Sequence, residues 1–218
     1  MSRKAGAIPL ASRARNVWVA LLLSMTTVGG LLWVLQGAPA PRLDGLSLPA
    51  AVAAARPSAI ETVFRTRAPA QPGRWQAIVI HHSGSPFGTA STIEAQHRAM
   101  NLQGLGHHFI VGNGSGMDDG DIHVGYRWLD QLPGAHAGGP RGDWLNRNAI
   151  GICLVGDGRK RAFTDQQVRR LAQLVGELSQ RLDIPASRVY LHSDVAETDD
   201  PGRFFPEAAF REQLGRWR

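Results

Sequence analysis

The period of the hydrophobic positions changes several times along this chain, and each change marks an element. Residues 75–80 (WQAIVI) are apolar on both faces, which predicts a buried strand, and the run ends in His81, His82 and Ser83. Successive strand side chains point opposite ways, so only one of those two histidines can face a given site. Ser91, Thr92, Ile93 and Glu94 fit a capping box that opens a helix. Ile93, His97 and Met100 follow there as a thin stripe, only two of them apolar. Residues 107–111 (HHFIV) read as a second strand, closed by the turn signal Gly112-Asn113-Gly114, with 121–128 (DIHVGYRW) as the returning strand.

A Gly-rich loop at 133–143 carries His136, and 149–155 (AIGICLV) is a further apolar strand. The clearest helix spans 164–182: Thr164 and Gln167 form its capping box, and Val168, Leu171, Val175, Leu178 and Leu182 repeat at three and four. Pro185 stops it. Residues 189–191 form a short strand that delivers His192 to its edge, and 206–214 a last short helix. This order predicts an α/β (mixed α+β) fold, a central mixed β-sheet flanked by helices.

The amino-terminal third follows other rules. Residues 1–16 hold Arg3, Lys4, Arg13 and Arg15 and no acid, four of the net charge of +6. They read as a basic cytoplasmic tail, and the near-balanced remainder shows no basic stripe of the kind nucleic acid needs. Residues 17–35 are uncharged and mostly apolar; nineteen residues make about 28 Å of helix, enough to span a bilayer core. Basic residues ahead of the run predict an exported remainder. The segment is longer than a usual signal core, and Pro41 follows the small-residue pattern at 38–40, which disfavours cleavage. It is read as a retained single-pass anchor in the inner membrane, with secretion to the periplasm after cleavage as the alternative. Residues 36–73, rich in Ala and Pro, form a spacer, in which 48–55 and 60–64 could be short helical pieces docked on the domain. Residues 74–218 are the domain itself. Its single cysteine, Cys153, allows no internal disulfide, so the fold rests on its core.

Candidate chemistry gathers at strand ends. His81, His82, His107, His108 and His192 all fall there, and His192 stands eight residues before Asp200 in HSDVAETDDPG (192–202). A histidine and a carboxylate joined by a short turn can close on one metal ion if another ligand comes from elsewhere, and the His81–His82 pair is the best donor. Two imidazoles and a carboxylate, with one position left open, suit catalytic zinc (Zn2+). The motif is less specific than HExxH or CxxC, neither of which is present.

Six pieces, in order, carry a resemblance: IVIHHS (78–83), GLGHHFIVGNG (104–114), GAHAGG (134–139), NAIGICLVG (148–156), FTDQQVRRLAQLV (163–175) and HSDVAETDDPG (192–202). Together the chain resembles the type 2 N-acetylmuramoyl-L-alanine amidases, zinc amidases related to peptidoglycan recognition proteins. The resemblance implies His81, His192 and Asp200 as metal ligands, with Asp199 the competing carboxylate, and Thr198 beside the developing oxyanion. His136 matches a histidine that lines the substrate groove. Where many members carry Tyr, this chain has His107, which becomes the candidate acid/base. Cys153 reads as a small buried apolar residue rather than a ligand or nucleophile. Asp194 either orients a ligand histidine or caps its turn. The implied activity is zinc-dependent hydrolysis of the bond between N-acetylmuramic acid and L-alanine in peptidoglycan or muropeptides. Its partners would be the wall polymer and, through the anchor, the membrane, with no obligate protein partner evident. The alternative is a peptidoglycan-recognition module that binds without turnover.

Overall fold

The apolar run around Val79 forms strand β1 (Ala77–His82), and in the computed structural model it lies near the middle of a five-stranded sheet. Residues 60–215 are described, all within one compact unit, Ala55–Arg218. Strand β2 (Phe109–Val111) pairs with β3 (Ile122–Val124) antiparallel, whereas β4 (Ala149–Leu154) runs parallel to both β1 and β2. Strand β5 (Val189–Leu191) lies parallel to β1 on its other side, giving the order β3-β2-β4-β1-β5. The sheet is mixed and helices flank it, as the pattern predicts.

Alternation along β1 separates two environments. Ile78 and Ile80 join the main core with Ile150, Ile152, Leu171 and Val175, whereas Ala77 and Val79 pack with Leu145 and Val195. His81 shares the face of Ala77 and Val79, away from the long helix. That face carries the site.

Among the helices, α1 (Ala90–Ala99) starts at Thr89 rather than Ser91: the Thr89 side chain accepts the Thr92 N–H, and the Thr92 side chain caps back. Ser91 already lies inside the helix, so its hydroxyl is not the cap. The strand expected over 121–128 is shorter. Gly125 turns the chain into α2 (Tyr126–Leu129), which sinks Trp128 into the core, where its Nε1 donates to the Val63 carbonyl at 2.6 Å. Val63 comes from a 3-10 turn, Glu61–Phe64, so the segment 60–64 does dock on the domain. Helix α3 (Gly142–Asn148), unpredicted, follows the Gly-rich loop.

The long helix α4 (Asp165–Leu182) has the expected N-cap, with Thr164 accepting the Gln167 N–H at 3.0 Å. The second half of the capping box is absent. The buried Gln167 amide instead donates to the carbonyls of Val111 (3.0 Å) and Val155 (2.8 Å), tying the helix to the ends of β2 and β4. Asp183, in a left-handed conformation, ends α4 before Pro185, and α5 (Glu207–Gly215) adds Phe210 and Leu214 to the core. Among the described residues, no helix is long and apolar enough to cross a membrane. Residues 17–35, read as an anchor, lie outside the described residues.

Candidate metal centre

Parallel neighbours bring the first two candidate ligands together. His81 sits near the end of β1, and His192 opens the 3-10 turn (His192–Asp194) that follows β5. The loop then folds back, with the Ser193 N–H donating to the Asp200 carbonyl at 2.8 Å. This places one carboxylate oxygen, Asp200 Oδ2, 2.9 Å from His192 Nδ1 and 3.1 Å from His81 Nδ1. The three groups offer ligand atoms that all lie within 4.8 Å of one another. The other oxygen, Oδ1, accepts the backbone N–H of His82 at 2.6 Å, which fixes the rotation of the carboxylate. Asp199 is not part of the group; it lines a cavity with Arg159 and Arg203.

The donor set fits zinc. Ligands at about 2.0–2.1 Å in a tetrahedron stand roughly 3.3 Å apart, and the spacings here are close to that. Burial pushes the Asp200 carboxyl upward, but the facing imidazoles of His192 and then His81 outweigh it and hold the group below the usual carboxylate range. Burial likewise lowers the His81 imidazole, against the pull of Asp200, and favours the neutral form that a metal ligand needs.

The other predicted residues surround this triad. The His107 ring centroid lies 4.9 Å from that of His81, and its buried Nδ1 has no hydrogen-bond partner. Burial, reinforced by His81 and His136, holds its basicity well below the ordinary value, so the ring is neutral. Thr198 Oγ1 accepts the Asp200 N–H at 3.3 Å. The same residue lines a groove of about 750 Å³ with His192, Arg141, Glu197 and Gly138. His136 does not line that groove. It is 9% exposed and lies beneath His81, with its Nδ1 3.1 Å from His81 Nε2.

Several open questions close here. Asp194 caps its own turn, accepting the Leu191 N–H at 2.8 Å, and faces Arg211. Cys153 is buried opposite His81 in the β1–β4 register, and burial followed by the charge of Asp200 raises its thiol well above the ordinary value. It stays protonated and acts as a small apolar residue. His108 is a core residue: its Nδ1 accepts the Gly151 N–H at 3.0 Å and its Nε2 donates to the Leu132 carbonyl at 3.1 Å. Trp128 is in the core, whereas Trp144 is exposed. The residue that pattern reading undervalued is His97. Four positions after Ile93 on the buried side of α1, it accepts the Gly106 N–H at 2.9 Å and lies 5.1 Å from the His107 ring. Its signal was an imidazole in an apolar stripe.

Fold and site define a class: a mixed-sheet domain that presents two imidazoles from the ends of neighbouring parallel strands and a carboxylate from the loop that follows one of them. Comparison with known proteins is specific about which. The sequence profile of the N-acetylmuramoyl-L-alanine amidase family (Amidase_2) matches residues 71–203, and the chain belongs to that family. Among solved structures it is similar to the N-acetylmuramoyl-L-alanine amidase LysC from Clostridium intestinale, at 27% identity and a TM-score of 0.55 over 65% of this chain and 86% of that one. The endolysin N-acetylmuramoyl-L-alanine amidase LysCS from the same organism gives 27% identity and a TM-score of 0.54, covering 69% and 91%. Bumblebee PGRP-SA, at 20% identity and a TM-score of 0.50 over 66% and 82%, shares the fold. No curated protein sequence matches the chain.

Proposed function

We propose that this protein hydrolyses the amide between N-acetylmuramic acid and L-alanine in peptidoglycan or muropeptides, with zinc held by His81, His192 and Asp200. The observation that carries the reading is the convergence of His81 Nδ1 and His192 Nδ1 on a single oxygen of Asp200 in a chain of this family. Zinc in that position supplies a Lewis acid for the scissile carbonyl and acidifies a water.

The protein's own groups do the rest. Thr198 uses an oxygen lone pair to accept the Asp200 N–H, which leaves its O–H free to donate to the developing oxyanion. A hydroxyl contributes a hydrogen bond there but no charge. His107, neutral within its histidine surroundings, begins as a proton acceptor, takes the proton of the attacking water and passes it to the departing alanine nitrogen. The groove along Gly138, Arg141, His192 and Thr198 receives the substrate. An anchor at 17–35 and a spacer at 36–73 would hold the domain on the periplasmic side of the inner membrane, within reach of the wall.

The test is release of new L-alanine amino termini from purified peptidoglycan by the full-length chain. Release is expected to stop on chelation and to return with zinc. Tight binding to peptidoglycan with no release, zinc present, would replace the hydrolase by a recognition module.

A further inference from the structure

His81 is supported from behind by a chain of hydrogen bonds, and the direction of each bond follows from its far end. The Ala149 carbonyl, 3.3 Å from His136 Nε2, can only accept, so Nε2 carries the proton. The His136 ring is buried and its two nitrogens meet only a carbonyl and an imidazole, so no carboxylate offsets a charge there; the ring is neutral and its Nδ1 holds a bare lone pair. That atom lies 3.1 Å from His81 Nε2, which must therefore donate. His81 Nδ1 is then the bare nitrogen, and it faces Asp200 Oδ2 at 3.1 Å. Two lone pairs opposed at that distance call for a cation between them.

The His136 ring is held in a built slot. A Cβ on Gly134 would lie 2.3 Å from the ring, and one on Gly151 2.4 Å, so backbone closes on it where no other residue fits. Asn146, on α3, clamps the loop: its Oδ1 accepts the N–H of His136 (2.8 Å) and of Ala137 (3.0 Å), and its Nδ2 donates to the Ala137 carbonyl (2.8 Å). Strand β4 supplies both the Ala149 carbonyl and Gly151. By contrast, His192 Nε2 is buried without a hydrogen-bond partner. Of the two histidines, only His81 has its far nitrogen fixed.

We infer that His136 is a positioning residue: it holds His81 in the Nε2–H tautomer, so that Nδ1 presents its lone pair to the metal. Outer partners of ligand histidines set ring orientation and donor strength in this way. The inference rests on the zinc reading above, and its test separates the two.

Proton–nitrogen correlation spectra of the metal-free full-length chain read the tautomer of His81. The proton is expected on Nε2 in the wild type, disturbed in His136→Leu and restored in His136→Asn, whose side-chain oxygen replaces Nδ1 as acceptor. A wild-type His81 protonated at Nδ1 overturns the inference. Zinc titration against a chromogenic chelator is the second readout: His136→Leu should weaken zinc binding about 10- to 100-fold, with His136→Asn recovering most of the loss. Equal zinc affinity in wild type and His136→Leu also overturns it. If His136→Leu does not fold, the wild-type spectrum and His136→Asn still decide. A wild-type chain that binds no zinc removes the metal reading alone, since the tautomer is read without metal.

Discussion

At the scale of single residues, the site is distinguished by how many uncharged imidazoles it packs together. His107 lies among His81, His97 and His136, and every added positive charge there would be felt by the others. A neutral ring suits a group that accepts a proton early in hydrolysis. Replacing His107 by Ala should lower kcat about a hundred- to ten-thousandfold, the usual range for a general acid/base, while zinc affinity stays near wild type. An unchanged kcat on muropeptide would remove His107 from the reaction. Cys153 shows the opposite behaviour: buried beside the site, its thiol is held protonated, so proximity alone does not make a nucleophile.

At the scale of elements, the long helix α4 is held by an interaction that sequence pattern assigns to something else. Gln167 occupies the position of a capping-box partner, yet its amide donates to two strand carbonyls and its Oε1 remains buried and unpartnered. Losing two buried hydrogen bonds strands two carbonyls, whereas losing the N-cap frees one donor at a helix end. Gln167→Met should therefore cost about 1–3 kcal/mol, softened because the unpartnered Oε1 also disappears. Thr164→Ala should cost about 1 kcal/mol. Urea unfolding of the two variants checks the order; a smaller loss for Gln167→Met would mean that the carbonyls find other donors.

At the scale of the whole molecule, buried neutral histidines link stability to pH. Burial lowers His108 to about 3, while an unfolded chain binds the same proton near 6.5. Between those values the unfolded state holds more protons, so stability rises with pH and falls on acidification. Well inside that window, between pH 6.5 and about 3, this one group costs up to about 1.4 kcal/mol per pH unit. Unfolding free energies measured between pH 6 and 5 should fall less steeply in His108→Gln than in the wild type, by up to that slope. Equal slopes would mean that His108 is not neutral in the folded protein.

What the sequence determined by itself was local or periodic. The apolar run before His81, the stripe of α4 and the turn after His192 each reflect a rule that acts within a few residues, so strands, the long helix and the ligand types were legible from residue order. The family resemblance added which of the paired histidines and carboxylates form the triad, and the geometry brings those together: His81 rather than His82, Asp200 rather than Asp199. The tertiary structure alone decided what depends on distant backbone. Trp128 turns away into α2 and the core, where the distant Val63 carbonyl accepts its indole N–H, and Gln167 leaves its cap because Val111 and Val155 offer carbonyls. His136 packs against His81 because Gly134, Gly151, Asn146 and the Ala149 carbonyl of β4 hold its ring and backbone there. Hydrogen-bond direction is settled by whichever partner can only accept or only donate, and here that partner, the Ala149 carbonyl, stands thirteen residues beyond His136 and on another element.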